Sequence, residues 1–241
     1  MQNAATPNFS PPVAPAGVLV LDKPAGTTSA RCVSTVKRML PRGTKVGHAG
    51  TLDTFATGVL LILVGKATRA CEMLMGQPKE YEATVKIGLT TATDDPDAPE
   101  QPYPNSARDV STVREDEVRA ALAPMVGTVL QRPPDYSALK LAGKRFSDRV
   151  RAGEAVRPEP RTVRIDAIDL LEFSPPALRI RVKCGRGTYI RSIARDLGET
   201  LGVGGYLTQL RRTRVGAYDL ASSVPLDALD AQSICQRLTP I

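Results

Sequence analysis

One histidine, four widely spaced cysteines and few aromatic rings leave this 241-residue sequence with little of the usual equipment for metal or redox chemistry. With His48 alone, zinc sites built on several histidines are excluded, and a Ser-His-Asp triad would have to run through that residue. Cys32, Cys71, Cys184 and Cys235 form no CxxC pair, so they suggest no zinc or redox motif and read as reduced thiols of a cytosolic protein. Aromatic residues make up 4% of the chain, too few for a platform that stacks several bases. The longest apolar run, Val59 to Val64, is far short of a bilayer span. The N-terminus has neither the basic start nor the apolar stretch of a signal peptide, so the chain reads as soluble and cytoplasmic. No GxGxxG, GxSxG or HExxH pattern occurs. The stretch Gly58–Thr68 imitates a P-loop and fails: six residues separate its glycines instead of four, and Ala67 stands where a magnesium-binding Ser or Thr should follow the lysine.

What is present is ordinary globular composition, 42% hydrophobic, with 32 Lys+Arg against 25 Asp+Glu. The net charge of +7 suits a polyanionic partner such as nucleic acid, and equally serves solubility. Residues 1–16, rich in Pro, Ala and Asn, read as a disordered tail. A short buried strand over 17–21, a turn over 22–26, and a helix capped by Ser29 and running to Leu40 follow. Residues 41–58 lack any period and read as a long glycine-punctuated loop, followed by a strand over 59–64 and a helix over 66–75. From Tyr81 the chain alternates as a half-buried strand, then enters a polar, mobile surface excursion over 90–112. A helix over 114–122, strands over 163–171 (with a slip near Ala167), 178–184 and 206–215, and helices from Tyr189 and over 226–238 complete the pattern. Interspersed elements with short connections favour an α+β domain with a mixed, largely antiparallel central sheet flanked by helices and loops.

Two basic features stand out. Residues 131–161 carry Arg132, Lys140, Lys144, Arg145, Arg149, Arg151, Arg157 and Arg161, which read as a basic arm or as a solvated face. Arg179, Arg181 and Lys183 alternate with apolar residues and place three cations on one sheet face, a plausible phosphate-facing stripe. The densest special segment is Gly47–Gly58, in which Asp53 is the lone carboxylate. Small residues there admit a bulky ligand or make tight turns, and Asp53 by itself also fits an Asx-turn or cap.

Five segments, in order, resemble the TruB family of tRNA pseudouridine synthases: GVLVLDKPAGTTS (17–29), GHAGTLDTFATGVLLILVGKAT (47–68), KEYEATVKIG (79–88), PPDYSALKLAGK (133–144), and GRGTYIRSIARDLGETLG continuing to YLTQLRR (185–212). The resemblance spans nearly all of residues 17–223 and implies the pseudouridine synthase fold over that range as a catalytic domain. Residues 224–241 are left as a short helical segment, with no separate C-terminal RNA-binding domain. It implies isomerisation of the T-loop uridine of tRNA at position 55, with the T-arm as partner. No metal or organic cofactor, no guide RNA or protein partner, and a monomer complete the expectation. Asp53 matches the catalytic aspartate, Arg191 the arginine that pairs with it, and Tyr81 the tyrosine that packs on the target base; His48, Tyr189 and Leu210 match substrate-contacting positions.

Elementary chemistry makes those roles sensible. The target base must leave its stack, at a cost of a few kcal/mol, and Tyr81, Leu210 and His48 can offset it by covering base faces. Read alone, Tyr81 continues an apolar strand face, Leu210 fits a core and Arg191 a surface. A positive helix end and Arg191 would both keep a docked Asp53 ionised. One departure is Thr54, standing where the family usually has proline, which restores a backbone N–H and brings the loop's stiffness into question. The rivals are a non-catalytic RNA-binding protein on the same scaffold and a nucleotide-dependent enzyme using the loop at Lys66.

Overall fold

The structure is a computed structural model, and it describes residues 15–104, 106, 108–137, 139–141, 144–154 and 156–241, without the side chains of 140, 141, 144, 145 and 147. The expected tail over 1–16 therefore lies outside the described residues except for Pro15 and Ala16. In chain order the elements are β1 (Gly17–Lys23), α1 (Ser29–Arg38), β2 (Val46–Ala49), β3 (Thr57–Val64), α2 (Cys71–Gly76), β4 (Lys79–Ile87), β5 (Leu89–Thr91) and β6 (Glu100–Pro102). Then come α3 (Glu115–Leu122), β7 (Gly127–Gln131), β8 (Lys140–Leu141), β9 (Lys144–Arg145), α4 (Phe146–Arg151), β10 (Arg161–Ser174), β11 (Ala177–Cys184) and α5 (Ile190–Thr200). The chain closes with β12 (Gly205–Val215), β13 (Tyr218–Asp219), β14 (Val224–Pro225) and α6 (Ala231–Arg237).

Ten strands form one sheet in the order β14-β1-β3-β12-β4-β11-β10-β7, with β2 on β3 and β13 on β12. Only the β1–β14 and β3–β12 pairings are parallel, so the mixed, largely antiparallel α+β architecture expected from the pattern is the one formed. Strand β3 is buried on both faces, which is why it reads as an unbroken apolar run. Leu60, Ile62 and Val64 meet Cys32, Val36 and Leu40 on one side, while Val59, Leu61 and Leu63 join Leu74 of α2 on the other. A P-loop at Gly58–Thr68 is excluded by this buried strand. Gly58, at φ +102, lets the backbones of β3 and β12 meet, since a Cβ there would lie 2.2 Å from the Arg212 carbonyl oxygen.

Several local expectations are corrected. The loop over 41–58 contains β2, antiparallel to β3, because Val46–Ala49 can extend the sheet edge. The helix over 66–75 is a 3-10 turn, Gly65–Ala70, followed by the short α2. The excursion over 90–112 carries the β5–β6 pair and a 3-10 turn, Val110–Thr112. The last helix begins only at Ala231, after β14 pairs with β1 and a 3-10 turn spans Leu226–Ala228. The slip expected near Ala167 is present, between Ile165 and Ala167, and a second register shift that was not expected falls between Leu170 and Glu172, both against β11. No helix among the described residues is long and apolar enough to cross a membrane.

The start of α1 differs in a way that positions the site. Thr28, not Ser29, caps the helix by accepting from the Arg31 amide. Ser29 turns inward, where its Oγ donates to the Leu52 carbonyl at 3.1 Å and accepts from the Leu52 amide at 2.9 Å. Ser29→Ala leaves both buried backbone groups of Leu52 without that partner. Its expected cost is about 1–3 kcal/mol, read as a lowered denaturation midpoint; an unchanged midpoint would show that the tie is dispensable.

Candidate active site

The site is built around one guanidinium. Arg191 sits in the first turn of α5, whose apolar side (Ile190, Ile193, Ala194, Leu197) is buried against the sheet, so the preceding turn and Tyr189 face the cleft. Arg191 Nη2 donates to Asp53 Oδ1 at 3.2 Å and to the Tyr136 carbonyl at 3.1 Å. Nη1 donates to Asp95 Oδ2 at 3.0 Å and to the Thr93 carbonyl at 2.8 Å. Nε lies 3.0 Å from Asp53 Oδ2 as a charge contact without a directed hydrogen bond. The carboxylate and guanidinium are therefore paired, side by side rather than as an ideal fork.

Two clefts meet at this pair. One, of about 510 Å3, is lined by Asp53, Tyr81, Tyr189, Arg191, Leu210 and Arg212 among others. The second, of about 680 Å3, is lined by His48, Thr51–Thr54, Thr93, Asp95 and Arg191 among others. Five of the six residues named from the sequence thus share one cleft, while His48 looks onto the other across the Asp53 wall. Leu210 lies opposite Ala83 in the β4–β12 ladder, two residue pairs along from the Tyr81–Arg212 pair. All six are drawn from elements β2, β4, α5, β12 and the two turns beside them.

Charge at the site is set by burial against arginine. Asp53 retains 35% of its side-chain surface, against 5% for Arg191. The carboxylate nevertheless sits at the floor of the clefts, where burial pushes it above the ordinary aspartate range against the pull of Arg191; the nearby charge of Asp95 adds to the rise. Desolvation is the larger effect on this carboxyl, and the Arg191 charge opposes it. Burial and Arg212 push His48 down, so its imidazole is neutral near pH 7, a flat uncharged surface. Burial raises the Tyr81 and Tyr189 phenols, which stay protonated.

Sequence reasoning missed several residues that build the site. Asp95 belongs to a stretch that reads as polar surface, yet it is buried beside Arg191 because the excursion folds back over α5. One helical turn on, Arg195 pairs with Asp94 at 3.1 Å, and burial pushes that carboxyl up to about 6. Lys23 is fully buried and donates to the carbonyls of Pro24, Thr27 and Thr54. The Thr54 carbonyl also accepts from Gly26, so the loop is pinned without a proline. Arg212, likewise buried, donates to the carbonyls of Gly50, Thr51 and Val59. The expected phosphate stripe on β11 is corrected: Arg179 and Arg181 pair with Glu82, and Lys183 with Glu80, from the adjacent strand.

Asp95 carries a signed prediction. Its charge disfavours a second anion nearby, so Asp95→Asn moves the acidic limb of the pH–rate profile to lower pH. Arg191 meanwhile loses one charged anchor, worth about 1.5–3 kcal/mol, and turnover falls roughly 10–100-fold. A limb that moves upward would show that Asp95 does not act on Asp53 through charge.

The fold is that of the pseudouridine synthases. A model of the TruB family pseudouridylate synthase N-terminal domain matches residues 37–190, and one of the tRNA pseudouridylate synthase B C-terminal domain matches 191–238. The chain belongs to the TruB family. It is 44% identical over 215 residues to the tRNA pseudouridine synthase B of Xanthomonas euvesicatoria pv. vesicatoria, covering 89% of this chain and 68% of that protein. With the tRNA pseudouridine synthase B of Burkholderia mallei it shares 45% identity, covering 92% and 71%. A crystal structure of a Cbf5-Nop10-Gar1 complex superposes with TM-score 0.68 at 30% identity, covering 93% of this chain and 60% of that one. An H/ACA RNP bound to a substrate RNA containing 2'-deoxyuridine gives 0.64 at 30% identity, covering 88% and 52%. The chain thus spans between half and two thirds of the length of these solved chains.

Proposed function

We propose that this chain isomerises the T-loop uridine of tRNA at position 55 to pseudouridine, with Asp53 as the catalytic carboxylate after the base is flipped out. The observation that carries the reading is the Asp53–Arg191 pair on the floor shared by two clefts, one walled by Tyr81, Tyr189 and Leu210. The reaction exchanges one glycosidic bond for another. The bond from uracil N1 to the sugar breaks, the base turns, carbon C5 joins the sugar, and the proton lost from C5 is balanced by one gained at N1. An ionised Asp53 beside the anomeric carbon can attack it, remove a sugar proton or stabilise developing charge. Tyr81 and Leu210 cover the faces of the extruded base and keep it from escaping while it turns. His48, neutral and flat, suits the gap that the base leaves in the RNA stack. Tyr189 borders the same base pocket. The reading has the enzyme acting in the cytoplasm as a monomer, with neither cofactor nor guide RNA nor protein partner. Residues 17–223 supply the catalytic domain and 224–241 a short appended segment.

The test is direct. Pure protein incubated with unmodified tRNA should yield pseudouridine at one T-loop position, mapped by chemical labelling. Absence of product, or a product elsewhere, refutes the assignment. The strongest rival, a non-catalytic RNA binder on this scaffold, would bind tRNA and leave it unmodified.

A further inference from the structure

Lys79 is a buried cation that the Asp53–Arg191 pair leaves unexplained. It opens β4, is 7% exposed, and lines the same cleft as Asp53, Tyr81 and Leu210. It stands two residues before Tyr81 on the same buried face of the strand, hence about 7 Å along the cleft from it. Across the two ladders it faces Cys184 and Val215. Its Nζ donates to the carbonyl oxygens of Met75 at 2.7 Å and Gln77 at 2.6 Å, at the end of α2. An ammonium carries three protons, so one is left over. No carboxylate lies within ion-pair distance of it among the described residues.

Holding the end of α2 does not account for the charge. A neutral donor would satisfy the same carbonyls, and a cation taken out of water without a counter-ion is costly. Its surroundings add to that cost. Burial, with Arg212 and Arg186 nearby, brings the ammonium down to about 8 against a weak opposing pull from Cys184. Arg212 repeats the pattern: it is buried, lines this cleft, and donates to the carbonyls of Gly50, Thr51 and Val59. Asp53 is the one carboxylate lining the cleft among the described residues, and Arg191 already holds it. The cleft therefore carries an excess of buried positive charge. A neutral pyrimidine has no need of it, whereas a pyrimidine bearing negative charge does.

We propose that Lys79 is a further catalytic residue of this site: its spare N–H donates to a carbonyl oxygen of the detached uracil and stabilises the negative charge there while the base turns. This rests on the uridine-isomerising reading above. When the bond from N1 to the anomeric carbon breaks, its electron pair leaves with the base and spreads over N1 and the two carbonyl oxygens. That charge persists until C5 returns an electron pair to the anomeric carbon, after which C5 loses its proton and N1 gains one. Lys79 keeps its own proton throughout, so the balance of the reaction is unaltered. A preorganised donor aimed at developing negative charge in a water-poor cleft acts on the transition state more than on the bound substrate.

Two variants of the full chain test it, with kcat, KM and thermal midpoint measured across the alkaline range. Lys79→Gln keeps a neutral donor near the end of α2 and removes the charge; Lys79→Arg keeps the charge. In the wild type, kcat/KM should fall as pH rises through about 8, because the charged form of Lys79 is lost there. Cys184, pushed up to about 11, and the raised phenols of Tyr81 and Tyr189 do not titrate in that window. Lys79→Gln should lower kcat by about 10^2- to 10^3-fold, the scale of losing one such donor, with KM within about threefold and no alkaline limb near 8. Lys79→Arg should recover kcat to within about tenfold of wild type and carry the limb to higher pH, since a guanidinium stays charged. A Gln variant that keeps kcat within about threefold overturns the proposal. So does a lowered midpoint with the limb unmoved in both variants, the mark of a merely structural lysine. Should the Gln variant fail to fold, the position of the limb in Lys79→Arg decides alone. Wild-type protein that forms no pseudouridine would instead refute the enzymatic reading itself, a failure seen before any variant is made.

Discussion

Asp53→Asn is expected to reduce pseudouridine formation by at least about 10^3-fold, the scale of losing a positioned acid–base or nucleophilic group, while tRNA binding stays within about tenfold of wild type. The substitution keeps the volume of the side chain, and its amide oxygen can still accept from Arg191, so the shape of both clefts survives. What is lost is the negative charge and the basic oxygen. Arg191 remains partnered by Asp95 at 3.0 Å, which prevents the variant from leaving a wholly uncompensated buried cation. Turnover of unmodified tRNA and binding by filter retention, measured on the same preparation, decide the matter. A variant that still turns over would remove the central carboxylate from the mechanism. In the wild-type enzyme, Asp53 must shed its proton to act. Burial raises its carboxyl, so the acidic limb of the pH–rate profile should lie above the ordinary aspartate range near 3.9.

Arg191→Ala is expected to have the largest combined effect. The guanidinium touches Asp53, Asp95 and the carbonyls of Thr93 and Tyr136, so its loss sets two carboxylates side by side and leaves carbonyls without donors. Breaking a buried pair of this kind costs about 3–5 kcal/mol of stability. Arg191→Lys separates folding from chemistry. It retains a positive charge with three donors on one nitrogen, which cannot span Asp53, Asp95 and Tyr136 at once. We expect it to fold, to lose turnover by about 10^2-fold as the carboxylate's orientation loosens, and to bind tRNA with a much smaller change. Its acidic limb should move to higher pH, because a less well placed cation offsets less of the cost of burying the Asp53 charge. Equal losses in binding and turnover would make Arg191 an RNA-holding or structural residue.

Much of the fold was legible from periodicity. Strands β1, β3, β4, β11 and β12 lie where the apolar patterns put them, because their faces are buried regularly. Segments stabilised from outside themselves were not legible. Val46–Ala49 has no alternation of its own and becomes a strand because β3 offers a free edge. Asp94 and Asp95 look like turn residues, and only the folding of 89–102 over α5 brings them to Arg195 and Arg191. The basic surface shows the same limit from the other side. Local clustering drew attention to 131–161 and to Arg179, Arg181 and Lys183. Glu80 and Glu82, far earlier in the chain, neutralise the second group. Arg31, Lys37, Arg38, Arg42, Lys45, Lys66 and Arg69, which form no ion pair among the described residues, are inconspicuous along the sequence, being spread out with an apolar strand between them.

From the sequence alone came the family, the fold class, and the identity of Asp53 as the one carboxylate in a glycine-rich loop, since motif order and apolar period are properties of the chain itself. The tertiary structure decided which way burial shifts that carboxylate, what else shares its arginine, and which cations find acidic partners among the described residues. Those depend on desolvation and on partners brought within a few ångströms from distant segments, and neither quantity exists until the chain has folded.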